Sequence, residues 1–573
     1  MYMAVRANAD LETLRERNYS QDYVELILQY PTTAKVFLET YSEFTPEILT
    51  ANYSVLHIPV PQNREVVSLV GINYSYIPKL YTLQDTTSIE AAGILRTQNQ
   101  PILNLSGDGV LVGFIDTGVE YTHPAFKTSD GRTRIVRIWD QTIVDGPPPA
   151  DYSYGAEYTR DMINEALQSK DPLSVVPSTD TSGHGTFVAG VATGSRDPVN
   201  DFTGAAPGCE IVVVKLKQAK DYLREFFFVS QDAVAYQEND IISAILYLTQ
   251  VASEENKPMV ICIALGTNQG DHAGHGPLSQ IIDSILEQAA FNCIIAGGNE
   301  AGKSHHYYGV VAGEGQYDNV EILVGNNGSS FSLELWGQAP ELYSIAVRSP
   351  IGEIIPQVPA RLEQSQIVTF TLEKTKVFID YEVIEKRSGS QVILMRFQDP
   401  TPGIWSIQVY CNNYVNGIFH MWLPVTGFVP PDIVFLRPNP DVTLTEPATT
   451  RTSIAAAAYN VSNNSIFINS SRGYARTGFI KPDIAAPGVN VYGPALNGRY
   501  STRSGTSASA AITAGAVALI VNWGMTSNKR LYASSEITNF LIRGATRNPN
   551  ILYPNREWGY GTLNVYNVFE TIT

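Results

Sequence analysis

The chain has 573 residues, 44% apolar and 17% charged, which describes a folded protein long enough for several domains and excludes a disordered one. A formal net charge of −17 argues against binding nucleic acid or an anionic membrane through bulk electrostatics. Four cysteines in this length cannot form a disulfide framework, and no CxxC or Cys/His ligand spacing accompanies them.

Residues 1–10 lack a basic start followed by an apolar core, so no secretory signal peptide is expected. No apolar run looks long enough to span a bilayer, and the chain reads as one synthesised in the cytoplasm. Residues 1–84 form a first, small α+β unit. Within it, 23–30 reads as a short amphipathic helix, and 54–60 and 66–70 read as strands. The unit ends in an extended, proline-containing tail, Ile77-Pro78-Lys79-Leu80-Tyr81-Thr82-Leu83-Gln84, followed by the polar Asp85-Thr86-Thr87.

Next, residues 109–115 make a continuous apolar run of the kind buried in a parallel sheet, with Asp116 at its C-terminal end. In open α/β sheets functional groups gather there. An Asp-Thr-Gly also serves aspartic proteases, but those need two carboxylates sharing a proton, and no second copy follows. Further on, His184 lies between Gly183 and Gly185 at the start of a small-residue helix, where backbone can approach the ring from both sides. Strand-like runs at 210–216, 258–266 and 293–299 then alternate with helical runs at 240–251 and 277–290. That alternation predicts a parallel sheet covered on both faces.

From 315 to 427 the texture changes to period two, as in Phe331, Leu333, Leu335 and in Val377, Ile379, Tyr381, Val383. This predicts an all-β insert of two packed sheets. Cys209, Cys262, Cys293 and Cys411 adjoin apolar runs and read as inert buried thiols. After 428 the α/β texture returns and leads to Gly505-Thr506-Ser507, where a small-residue loop opens a long apolar helix. A serine there sits among unpaired backbone N–H groups at the positive end of a helix dipole. Taken alone, it reads more readily as an ordinary cap on a core helix.

Asp116, His184 and Ser507 together supply an orienting carboxylate, a general base and a nucleophile. Serine is a weak nucleophile at neutral pH until an imidazole takes its proton. With Asp116-Thr117-Gly118, Gly183-His184-Gly185-Thr186, Gly297-Gly298-Asn299-Glu300, the 481–488 stretch and Gly505-Thr506-Ser507 in this order, the sequence resembles the subtilases. The resemblance implies a subtilisin-like α/β fold and serine endopeptidase activity without a cofactor. It implies further that Asn299 donates to the oxyanion beside the Ser507 N–H, and that Ala264, Leu265 and Gly266 line a substrate groove with Gly297, Gly298 and Glu300.

The absent signal peptide, the 138–141 segment and the β insert narrow the likeness to the clostridial Csp-type germination proteases. In that group the insert is a jelly roll, the cleaved prodomain stays bound, and the substrate is the zymogen of a spore-cortex hydrolase. The four parts are then a prodomain (1–84), two catalytic segments (85–314 and 428–573) and the insert (315–427), in a spore-associated protein. Self-cleavage is expected between Gln84 and Asp85, with Tyr81 in an apolar pocket and Gln84 in the primary pocket near Glu300. Ala125 stands where many relatives carry a calcium-binding Asp, so no metal is expected. Ala511 replaces a common proline, and His305 and His306 read as surface residues. Two other readings remain open: a pseudoprotease acting in germinant sensing, and a general peptidase. The tail at 77–84 also remains readable as a mere linker.

Overall fold

The computed structural model describes residues 11–60, 72–84, 105–360 and 365–572. Seven parallel strands form the central sheet: Leu111–Asp116, Ile135–Asp140, Glu210–Lys215, Met259–Ile263, Phe291–Ala296, Ile454–Asn460 and Ile484–Pro487. Their spatial order is second, third, first, fourth, fifth, sixth, seventh, and Ala156–Thr159 adds an antiparallel edge. On one side of Leu111–Asp116 the second strand lands two places away and the third fills the gap between them, after which the chain crosses to the other side. Asp116 ends the strand at which the order reverses, the place where open sheets leave a crevice.

Side chains alternate across the sheet as the two-residue period requires. Val112, Phe114, Val213 and Cys262 pack with the helices His184–Thr193 and Thr506–Ser527. Leu111, Ile115, Ile261 and Cys293 face the helices Glu238–Glu255 and Pro277–Leu286. The two-sided cover expected from the sequence is present. One expectation is corrected: Thr506–Ser527 is long and apolar enough to cross a membrane. However, 94% of its most apolar window is buried, which makes it the central helix of the core.

The N-terminal module differs from the reading at 23–30. Tyr23–Gln29 is a strand, paired antiparallel with Tyr53–Pro59, whose other edge takes Glu47–Ile48. Apolar residues at 23, 26, 27 and 30 fit one helical face, but so short a segment gains little from isolated helix formation. Cross-strand pairing buries Val24, Leu26 and Ile27 instead. Helices Leu11–Tyr19 and Ala34–Thr40 flank these strands. The strand expected at 66–70 lies outside the described residues. On the side facing the large domain, the buried Glu25 carboxylate lies 3.1 Å from Lys220 Nζ. Burial alone would raise its pKa, but Lys220 and Lys217 hold it well below the usual range.

The insert is a sandwich of a six-stranded and a five-stranded antiparallel sheet. Leu333, Leu335, Ile393 and Met395 of one pack against Ile345, Trp405, Ile407 and Val409 of the other in a single core. It is wider than the expected 315–427. The strand His306–Val310 pairs with Ile418–Trp422, and Val434–Phe435 closes the other sheet against Tyr317–Val324. Short strands with mixed composition hid both ends.

Candidate active site

Two helix starts and one strand end converge. His184 opens its helix behind Gly183, whose φ of 77° is the left-handed conformation glycine tolerates. Gly185 permits the approach: a Cβ there would stand 2.1 Å from the Gly118 carbonyl oxygen and 3.2 Å from Asp116 Cβ. His184 Nδ1 then lies 2.7 and 2.9 Å from the two Asp116 carboxylate oxygens. On its far side Nε2 lies 3.1 Å from Ser507 Oγ. All three side chains are buried.

In that geometry Nδ1–H donates to the carboxylate, which leaves Nε2 unprotonated and facing the serine hydroxyl. The arrangement can take the hydroxyl proton as the oxygen attacks and hold the resulting imidazolium beside a carboxylate.

A second ring of contacts fixes this line, and sequence reading missed its centre. Asp180 is buried and accepts from Thr117 Oγ1 at 2.9 Å, from the Ser182 and Gly183 N–H groups at 2.9 Å each, and from Thr186 N and Oγ1 at 2.9 and 2.8 Å. Thr117 Oγ1 in turn accepts from the Gly185 N–H at 2.9 Å, and the Thr117 N–H donates to Asp116 Oδ1 at 2.7 Å. One carboxylate thus ties the strand end to the helix start. An acidic residue just ahead of a predicted helix was the available signal.

Ser507 is the second residue of Thr506–Ser527, so its N–H has no partner within the helix. It donates instead to the Gln84 carbonyl oxygen at 2.8 Å. Asn299 stands alongside: its Oδ1 accepts from Thr506 N at 3.2 Å, while Thr506 Oγ1 accepts from Gly298 N at 3.1 Å.

The tail Leu80–Leu83 lies as the middle strand of three. Leu83 and Thr82 pair antiparallel with Leu265 and Gly266, Leu80 and Tyr81 pair with Gln237 and Tyr236, and the Gln84 N–H donates to the Ala264 carbonyl at 3.1 Å. The wall at Tyr236–Gln237 carried no sequence signal; two residues are too few for a periodic pattern. Tyr81 joins the apolar cluster containing Leu265 and Leu278. Asp85 lies outside the described residues.

Gly266 lines the place of the Gln84 side chain, and both it and Gly298 pack on Thr445. A Cβ at 266 would come 2.3 Å from Thr445 Oγ1 and 3.3 Å from Gln84 Nε2, and one at 298 would stand 2.7 Å from the same Thr445 hydroxyl. Gly297 backs onto Ala456, whose carbonyl accepts its N–H at 3.0 Å. Glu300 is drawn into another network: its carboxylate accepts from His305 Nδ1 at 2.7 Å, Asn268 Nδ2 at 3.3 Å and the Thr426 N–H at 3.1 Å.

His305 and His306 are therefore corrected from surface to buried residues, 5% and 1% exposed. His306 begins a strand of the insert and stacks on Trp422 at 4.8 Å between ring centroids, and burial pushes its pKa down to about 3. Ala125 is buried, and its carbonyl joins those of Thr193 and Cys209 around the Arg134 guanidinium. Among the described residues, no three His, Cys, Asp or Glu side chains gather as a metal-binding group. All four cysteines are buried and free, as read from their apolar flanks.

Comparison with known proteins decides the family. The model of the Subtilase family matches residues 107–348 and 436–561, more than half of the chain. The chain belongs to the subtilase family. The solved CspB protease of Clostridium perfringens shares 31% identity and a TM-score of 0.74, over 84% of this chain and 96% of that one. This bears out the resemblance to Csp-type proteases. Among curated relatives, the PII-type proteinase of Lactococcus lactis subsp. cremoris is 20% identical over 90% of this chain and 28% of its own length. The C5a peptidase of Streptococcus pyogenes serotype M6 is 24% identical over 72% of this chain and 34% of its own. The chain thus spans about a third of the length of these curated relatives.

Proposed function

We propose that this subtilase is a serine endopeptidase that cuts its own chain after Gln84. The observation that carries the reading is the placement of the Gln84 carbonyl oxygen on the Ser507 N–H at 2.8 Å, within a line of His184, Asp116 and Ser507. In this reading Ser507 Oγ attacks the Gln84 carbonyl carbon and His184 Nε2 takes its proton. The charge developing on the carbonyl oxygen is met by the Ser507 N–H and the Asn299 side-chain amide. His184 then gives the proton to the departing Asp85 amine, and water releases the acyl group by the same steps in reverse.

Residues 1–84 act as a prodomain that folds against the large domain and leaves its new carboxyl end in the groove. The sandwich, whose strands run from His306 to Phe435, is a jelly-roll insert between the two catalytic segments. The likeness to CspB supports a further step: limited cleavage of a spore-cortex hydrolase zymogen in a spore-associated germination pathway. The intact Asp, His and Ser favour this over a pseudoprotease.

The test follows self-cleavage of the full chain by intact mass in wild type and in His184→Ala. Hydrolysis after Gln84 is expected, falling at least about a thousandfold without the base. Equal rates in the two proteins would contradict the reading.

A further inference from the structure

Beyond Leu80 the tail does not leave the protein. The Lys79 N–H donates to Glu238 Oε2 at 3.2 Å, the Lys79 carbonyl accepts from Glu238 N at 3.0 Å, and the Leu80 N–H donates to Gln269 Oε1 at 2.9 Å. The Lys79 side chain is buried, 7% exposed. Its ammonium donates to the Tyr74 and Ile77 carbonyls at 3.0 and 2.7 Å and sits 3.6 Å above the Tyr74 ring. It lines a small cavity of about 40 Å³ together with Tyr81, Glu238, Glu385 and Arg387.

The walls of this place come from two parts of the fold. Glu238 starts a helix of the α/β domain, and the insert contributes Glu334, Trp336, Glu385 and Arg387. Glu334 is fixed by the Gly270 N–H at 3.0 Å, by Trp336 Nε1 at 2.9 Å and by the Tyr74 hydroxyl at 2.5 Å. Burial, the largest influence, holds the Lys79 ammonium below its ordinary pKa and Arg387 adds to this, while Glu238, Glu334 and Glu385 act in favour of its charge. Asp271, paired with His275, and Glu446 line the same cavity, so carboxylates outnumber cations there. Burial pushes the Glu334 carboxyl up, and keeping these groups charged out of water is costly unless a cation enters with the chain.

We propose that the groove extends to an acidic subsite at the seam between the protease and its insert. This subsite selects protein substrates with a basic residue five places before the one whose carbonyl is cleaved, as Lys79 precedes Gln84. The inference rests on residues 80–84 occupying the substrate groove. It gives the insert a part in specificity: without Glu334 and Glu385 the site would keep only Glu238. Tyr74 and Ile77, which cap the ammonium here, belong to the N-terminal module. A substrate supplying its own segment there meets the carboxylates of the seam directly.

The experiment follows self-cleavage of the full chain in wild type, Lys79→Arg, Lys79→Met, Glu334→Gln and the double variant, timed by intact mass. Lys79→Met is expected to slow cleavage roughly tenfold, the scale of an uncompensated buried charge, and Lys79→Arg to retain most of it. In the Glu334→Gln background the Lys-to-Met effect shrinks, as coupled partners require. Melting of the Ser507→Ala counterparts separates lost cleavage from lost folding.

A second arm does not depend on the variants at residue 79. Processed wild type is offered two quenched peptides in large excess over its bound 1–84 segment, with lysine or norleucine five places before glutamine. A kcat/KM ratio of at least about five is expected, collapsing toward one in Glu334→Gln. A ratio near one in wild type, or cleavage indifferent to residue 79, overturns this subsite alone. Uncleaved wild-type chain with both peptides untouched overturns the groove reading itself, and the subsite with it.

Discussion

The backbone N–H of Ser507 donates to the carbonyl oxygen of Gln84 at 2.8 Å. A helix start, a loop and the end of the N-terminal module meet in that one bond. It places a peptide carbonyl where charge would develop if the serine beside it attacked. The groove around it is built by Ala264, Leu265 and Gly266 on one side and Tyr236–Gln237 on the other. Three predictions about the machinery follow from the same geometry.

Asp180 joins the strand that bears Asp116 to the helix that bears His184. Replacing it with alanine leaves the buried Gly183 and Thr186 N–H groups without their acceptor, and frees the more exposed Ser182 N–H. Asp180→Ala is expected to lower stability by about 2–4 kcal/mol and to cut turnover more than substrate affinity, because the base is displaced. Thermal melting beside kcat and KM checks this; unchanged kcat would show that the helix start holds itself.

Gly185 is the point of closest approach between helix and strand. A methyl group 2.1 Å from the Gly118 carbonyl oxygen must push His184 off Asp116. Gly185→Ala is expected to cost about 1–3 kcal/mol of stability and nearly all activity. Gly313→Ala, where the nearest atom to an added Cβ is Gln316 Cδ at 3.9 Å, serves as the contrast. Equal activity in the two variants would refute the packing argument.

Glu446 lies in the groove wall, bridged to Thr267. Burial and the neighbouring Asp271 push its carboxyl up to about 7. A carboxyl raised in the folded state favours folding fully below its ordinary value near 4.5, and the benefit is lost as pH rises through about 7. Wild-type melting temperature should therefore carry a downward component between about pH 5 and 7.5, worth about 3 kcal/mol. Glu446→Gln should flatten it; parallel curves in the two proteins would refute the assignment.

Much of the framework was legible in the sequence because it rests on long, uniform patterns. The continuous apolar run before Asp116, the glycines around His184 and the small-residue helix after Ser507 each follow from one local requirement. The placement of Gln84 beside Ser507 was expected only through the likeness to the family. What the sequence hid depends on partners far along the chain. Residues 23–30 satisfy both a helical and a strand period, and only pairing with Tyr53–Pro59 decides between them. His305 and His306 look polar and exposed until Glu300 and Trp422 cover them. Asp180 is one acidic residue among many until Thr117, Gly183 and Thr186 converge on it. The ends of the insert were blurred because their strands are short and pair across about 110 residues.

The central claim is that Ser507 cuts the bond after Gln84 in its own chain. The most direct measurement is the intact mass of freshly purified wild-type protein beside Ser507→Ala. The account predicts two wild-type fragments, residues 1–84 and 85–573, and one unbroken chain in the variant. An unbroken wild-type chain, or the same two fragments from Ser507→Ala, would contradict it.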